Sequence, residues 1–322
     1  MLNALIHGRV KTRAQLTARP SRWKAALIGL AVCTPSLMVA VQAWAEAPGA
    51  VQAEPFTSDR LSVEVVGQGP DVILIPGFAS SREVWRDTAE RLKATHRVHL
   101  VQLAGFAGEP WKHGDGPFIA PVVAELDRYI RSQSLDAPAV VGHSMGALIG
   151  LKLAQAHPGD VGRLMSVDSL PFFSALYGAA ATAETARPFA DQAAKAILTA
   201  DDAGFRASQQ TSARGLSRDA STRSAMVDWS TTSDRRALAS AIREVMITDA
   251  RPGLAAMITP ITALYASDAN GGAPAAMADA VWTREYAALP QVELIRVDDS
   301  RHFIMADQPE RFATLLDDFL ER

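Results

Sequence analysis

The pentapeptide Gly142-His143-Ser144-Met145-Gly146 sets a serine between two glycines. It follows the apolar run Ala139-Val140-Val141 and opens a helical segment, Met145 to Ala156, that stops at Pro158-Gly159. A strand that turns sharply into a helix holds the residue at the turn in a strained, exposed position. Glycines on either side let the two backbones approach where a Cβ would not fit. Ser144 would present its hydroxyl at the carboxyl edge of a sheet, and the helix N-terminus beside it supplies N–H donors for a developing oxyanion. The plain alternative is a glycine-rich turn with a helix-capping serine.

A serine hydroxyl is a weak nucleophile and needs a base. Beyond residue 45 the histidines are His96, His99, His113, His143, His157 and His302. His99 alternates with strand residues, the setting of a structural histidine. His157 ends a helix beside Pro158, and His143 stands next to the serine inside the turn. His302 lies in Asp298-Asp299-Ser300-Arg301-His302-Phe303, a loop between the last strand and the last helix, from which it can reach Ser144. His113, in the loop Trp111 to Gly116, is the runner-up. An imidazole base needs a carboxylate to orient it. Asp268, at the end of the strand region from Ile261, gives the chain order Ser144, Asp268, His302, which is the order expected for a turn serine on such a sheet. Asp168, just after the preceding strand, is the rival. Asp298 and Asp299 lie very close in sequence to His302. The oxyanion needs two backbone donors: the N–H of Met145 and, after the strand Val72 to Ile75, the N–H of Phe78 in Pro76-Gly77-Phe78-Ala79-Ser80.

The elements that would position these residues alternate. Leu61, Val63 and Val65 interleave with Ser62 and Glu64 as a half-buried strand. Val72 to Ile75, Val98 to Val101, Ala139 to Val141, Leu164 to Val167, Ile261 to Tyr265 and Val292 to Val297 are short apolar runs, the pattern of strands buried on both faces. Ser80-x-x-Glu83 reads as a capping box opening a helix through Leu92. Ile119, Val122, Val123, Leu126 and Ile130 have helical spacing, as do Phe312, Leu315, Leu316 and Phe319. This predicts an α/β fold with a mostly parallel sheet covered by helices on both faces. Residues 171–255 contain no convincing strand and are rich in alanine. They read as a helical cap inserted between two core segments, 60–170 and 256–322.

The chain has 322 residues, enough to bury a full core without disulfides, and its single cysteine, Cys33, excludes a disulfide framework. Residues 1–45 carry six cations and no acid, whereas the remainder carries 26 basic and 35 acidic side chains, a net of −9. That balance argues against nucleic-acid binding. Basic residues to Lys24, an apolar run from Ala25 to Val41 and then Ala43-Trp44-Ala45 follow the order of a secretory signal peptide cleaved before Glu46. The alternative is an uncleaved anchor, although Pro35 interrupts the run. Residues 46–59 read as a loose N-terminal lead. The expected protein is exported, periplasmic or secreted, and off the membrane once cleaved.

Together these residues resemble the α/β-hydrolase superfamily with a helical cap, over roughly residues 60–322. The matches are Ile75-Pro76-Gly77-Phe78, Gly105-Phe106-Ala107-Gly108, Gly142 to Gly146, and Arg301 to Phe312 as the histidine loop and final helix. The chain departs from the family where His-Gly is common and Pro76-Gly77 stands here. It departs again where a glycine usually precedes the acid and Tyr265-Ala266-Ser267-Asp268 stands here. The resemblance implies a serine esterase acting on a small-molecule ester through Ser144, Asp268 and His302. An amidase, aminopeptidase or carbon–carbon hydrolase would use the same residues. A non-catalytic binding protein is the reading from another class, opposed by the complete set of Ser, Asp and His. No metal-ligand cluster, phosphate loop or cofactor motif is visible, so no cofactor and no metal are expected.

Overall fold

The computed structural model describes residues 56–322. The signal-peptide reading of residues 1–45, and residues 46–55 of the 46–59 lead, lie outside the described residues. Strand β1 (Leu61–Val66) buries Leu61 and half-buries Val63, as its alternating sequence predicts, but the alternation ends there: Val65 is exposed and Val66 packs against the core instead. It pairs antiparallel with β3 (Arg97–Leu103) at one edge of the sheet. All other neighbouring pairs are parallel: β2 (Asp71–Ile75) lies between β3 and β4 (Ala139–His143). Beyond β4 come β5 (Arg163–Val167), β6 (Ile261–Ser267) and β7 (Val292–Asp298), giving the order β1-β3-β2-β4-β5-β6-β7.

The apolar runs are continuous because each strand feeds two cores. Along β2, Ile73 and Ile75 enter one cluster and Val72 and Leu74 the other. The first cluster is completed by α2 (Ile119–Ser132) and α3 (Met145–Ala156), and the second by α1 (Arg86–Leu92) and the C-terminal helix. Trp85, with no exposed surface, packs there against Phe312, ring centroids 5.9 Å apart.

The first helix starts later than the capping box predicts. Ser81, not Ser80, caps a 3-10 turn over Arg82–Trp85 by accepting from the Glu83 N–H at 3.2 Å. Ser80 instead donates to the Phe78 carbonyl at 3.2 Å. The cause lies on β3, where the buried Gln102 side chain accepts the Arg82 N–H at 2.8 Å and fixes where the turn begins.

Between β5 and β6 the described chain is helical. A 3-10 turn (Phe173–Tyr177) leads into α4 (Ala183–Thr199), α5 (Asp202–Leu216), α6 (Ala220–Thr232) and α7 (Arg235–Ile247), followed by a second 3-10 turn (Arg251–Ala256). Each of the four helices opens on a side-chain cap: Thr182, Asp201, Asp219 and Asp234. These caps satisfy backbone N–H groups that the helix itself cannot. Helices α4 and α7 pack together, as do α5 and α6. Glu244 of α7 reaches the core, accepting the N–H groups of Phe118 and Ile119 at 2.9 and 2.7 Å where α2 begins.

The parallel β6-to-β7 connection holds α8 (Ala275–Tyr286), a helix absent from the sequence reading. The chain closes with α9 (Ile304–Asp307) and α10 (Pro309–Leu320). Among the described residues, no helix is long and apolar enough to cross a membrane.

Candidate active site

Ser144 stands between β4 and α3 with φ 54° and ψ −120°, a backbone conformation that costs energy for a residue with a Cβ. Its neighbours show why the turn must carry glycines. A Cβ on Gly146 would lie 2.3 Å from the Ile75 carbonyl oxygen, and one on Gly142 would lie 2.5 Å from the Ala147 nitrogen. The Ser144 N–H is spent on the Val167 carbonyl at 2.9 Å, which ties the turn to the end of β5.

Ser144 and His302 both line a cavity of about 460 Å³. Its floor is the carboxyl edge of the sheet. Its walls include Leu216 of α5, Met226 of α6 and Val245 of α7, so the inserted helices stand over the serine as a cap. Leu148, Leu170 and Trp282 make the remaining surface predominantly apolar. Phe78 and Met145 also line it. Met145 opens α3, and neither its N–H nor that of Phe78 meets a protein acceptor among the described residues. Both expected oxyanion donors are therefore uncommitted beside Ser144.

The acid is where the sequence reading is corrected. His302 Nδ1 lies 2.7 Å from Asp168 Oδ2, not beside Asp268. The other oxygen of Asp168 accepts the Ala266 N–H at 2.8 Å, so the carboxylate lies across the end of β6 facing the histidine loop. Asp168 has φ 47°, a turn directly after β5 that aims its side chain there. Asp268 lies beyond the end of β6, closed into its own turn by the Asp268 N–H to Ala273 carbonyl bond at 3.0 Å. Its Oδ2 accepts from Arg301 Nε at 2.8 Å and its Oδ1 from the Asn270 N–H at 2.9 Å. These bonds, the Arg301 one foremost, hold the Asp268 carboxyl below the usual range. Adjacent residues thus divide the two acids: Arg301 takes Asp268 and His302 takes Asp168. The arginine beside His302 was the available signal, because a cation there competes for one of the carboxylates.

The other histidines sit elsewhere. His99 is buried between Tyr129 Oη (2.6 Å) and Asp71 (2.9 Å), a structural role. The ring nitrogen Nε2 of His113 lies 3.2 Å from the Asp59 carbonyl oxygen. His157 approaches Asp127 and Asp160, with potential metal-ligand atoms within 4.8 Å of one another. There the Arg131 guanidinium already pairs with both carboxylates, at 2.8 and 2.7 Å. His143, beside the serine, carries no role in the sequence reading. Its side chain is 1% exposed, and its Nε2 lies 3.0 Å from the backbone oxygen of His302.

The loop carrying His302 is fastened to the cap. The Phe303 N–H donates to the Leu216 carbonyl at 3.1 Å, and Arg301 Nη1 donates to the Arg214 carbonyl. Asp307 bridges the same two segments. Its Oδ2 accepts the Arg301 N–H at 2.8 Å, while its Oδ1 accepts from Ser217 Oγ at 2.7 Å and the Arg218 N–H at 2.9 Å.

Comparison with known proteins agrees with this architecture. Stretches of the chain are 36% identical over 115 residues to a pimeloyl-[acyl-carrier protein] methyl ester esterase of Aeromonas salmonicida, covering 36% of this chain and 44% of that protein. The corresponding enzyme of Vibrio atlanticus is 33% identical over 118 residues, covering 37% of this chain and 43% of that protein. The chain thus spans less than half the length of these relatives. An enol-lactonase from Burkholderia xenovorans superposes with a TM-score of 0.67 at 17% identity, over 81% of this chain and 96% of that one. A thermophilic esterase from Thermogutta terrifontis does so with a TM-score of 0.67 at 20% identity, over 81% and 93%. A sequence model described as the alpha/beta hydrolase family matches residues 72–315. With that match across most of its length, and with this sheet, turn and cap, the chain belongs to the alpha/beta hydrolase family.

Proposed function

We propose that the protein hydrolyses carboxylic esters through an acyl-enzyme on Ser144, with His302 as base and Asp168 as its acid. The observation that carries this reading is the 2.7 Å bond between His302 Nδ1 and Asp168 in the cavity that also holds Ser144. A carboxylate on Nδ1 fixes the imidazole with its proton on that nitrogen and leaves Nε2 as the acceptor. Nε2 takes the Ser144 proton as Oγ attacks the ester carbonyl. The tetrahedral oxyanion is stabilised by the free N–H groups of Phe78 and Met145. Collapse expels the alkoxide, which takes the proton from His302. Water then attacks the acyl-enzyme by the same relay and releases the acid.

The apolar lining favours an ester whose acyl or alcohol part is hydrocarbon in character. A cavity of about 460 Å³, at the lower end of the range for small-molecule sites, fits a short to medium chain. The methyl ester esterases among the relatives are consistent with a small leaving alcohol. Export after cleavage near Glu46 belongs to the same proposal and is checked by the mass of the N-terminal peptide in protein recovered outside the cytoplasm.

The test is a panel of p-nitrophenyl esters of increasing chain length, run beside aminoacyl anilides, with the wild type and Ser144→Ala. Ester turnover should fall by several orders of magnitude in the variant. An organophosphonate should label only the wild type. Turnover of the variant within tenfold of wild type rules the nucleophile out, and preferential cleavage of anilides moves the reading to an amidase.

A further inference from the structure

The imidazole of His143 is wedged between the two loops that the proposed chemistry uses. Its Nε2 is 3.0 Å from the His302 backbone oxygen. A carbonyl oxygen only accepts, so Nε2 carries the proton and Nδ1 of the neutral ring carries a lone pair. Nδ1 is buried and has no partner among the described residues. It faces the oxyanion loop: a Cβ on Gly77 would lie 2.9 Å from it, so the side-chain-free Gly77 is what admits the ring. The ring centroid is 4.5 Å from that of His302 and 4.6 Å from that of Phe303. Burial, with His302 nearby as a lesser cause, holds the His143 pKa well below that of a free histidine. His143 therefore stays neutral at the pH where an esterase works.

From this wedge we infer that His143 is a positioning residue for the His302 base, setting its backbone through the Nε2–H bond to the His302 carbonyl. The inference rests on the serine-esterase reading for its kinetic consequence but not for its structural one. Asp168 grips the His302 ring from one side, and His143 fixes the backbone from which that ring hangs. A neutral ring suits this post. During turnover His302 becomes an imidazolium, and a second cation at 4.5 Å would oppose it. His143 also belongs to the same turn as Ser144, so one rigid strand end places both the nucleophile and the support of its base.

The test compares His143→Phe, His143→Gln and His143→Asn, each checked by circular dichroism. Phenylalanine keeps a ring and loses the donor. Glutamine is neutral and long enough to donate to the same carbonyl, whereas the asparagine amide is too short. The expected result for Phe and Asn is a kcat lowered at least tenfold with KM within about twofold. Gln should return kcat to within about threefold of wild type. The second readout is the low-field proton NMR signal of His302 Nδ1–H in ¹⁵N-histidine-labelled protein. It should shift or broaden in Phe and Asn and stay in place in Gln. An unchanged kcat and NMR signal in Phe and Asn, or a Gln variant as impaired as they are, overturns the inference. If the wild type hydrolyses no ester, the esterase reading fails while the NMR comparison still decides whether His143 sets His302. If the Phe or the Asn variant does not fold, the other still pairs with Gln to separate donor from shape, and if Gln does not fold, an unchanged kcat and NMR signal in Phe and Asn still overturns the inference.

Discussion

At the scale of single residues, the proposed catalytic assignment turns on which of two aspartates lies against His302. Both follow parallel strands, and both are well hydrogen-bonded. Asp168 gives one oxygen to a backbone N–H and the other to the imidazole. Asp268 is occupied by Arg301 and Asn270. Neutralising Asp168 removes the acceptor that holds the His302 proton on Nδ1. We therefore expect Asp168→Asn to lower kcat by a factor on the order of 10⁴, as for other triad acids made neutral. Asp268→Asn should cost tenfold or less, by loosening Arg301. The kcat of both variants on one ester decides this, and a dead Asp268→Asn beside an active Asp168→Asn reverses the assignment.

At the scale of elements, the positions of Ser144 and His302 were legible because each rests on local rules. A serine between glycines at a strand-to-helix junction, and a histidine after the last strand, announce their places without tertiary information. The carboxylate that lies against His302 was not legible in this way. Asp168 and Asp268 differ in which neighbour reaches them across the sheet, and chain order is silent on that. Helix α8 was missed although Ala278, Trp282 and Tyr286 recur at four-residue intervals on its buried face. The start of the first helix slipped by a residue because a β3 glutamine, distant in sequence, sets it. The cap also carries a test at this scale. Glu244 accepts two N–H groups at the start of α2. Glu244→Ala should destabilise the protein by about 2 kcal/mol, the range for hydrogen bonds to a charged group. Urea unfolding measures it, and an unchanged midpoint would mean that water replaces the carboxylate at no cost.

At the scale of the whole molecule, acid stability follows from carboxylates that arginines hold in the charged form. The Glu64 carboxyl is lowered chiefly by its Arg86 hydrogen bond, and the Asp268 carboxyl chiefly by its Arg301 hydrogen bond. Their folded pKa values lie below the unfolded ones, so folding stability from these pairs is complete above about pH 4 to 4.5, the unfolded carboxylate range. It is withdrawn as pH falls further, through the folded values. The urea midpoint should change little on account of these pairs between pH 7 and pH 5 and drop below pH 4. A midpoint that rises on acidification contradicts this.

The fastening of the cap to the histidine loop has a consequence for chain-length selectivity. Leu216 and Arg214 hold the residues on either side of His302 through their carbonyls, and Asp307 rivets the same junction. On the proposed function, an ester too long for the cavity would have to displace this part of the cap, and the displaced cap would pull the His302 loop away from Ser144. Oversized substrates should therefore be penalised in turnover itself, with kcat falling beyond a threshold length even at saturation, where a looser cap would show only a rising KM.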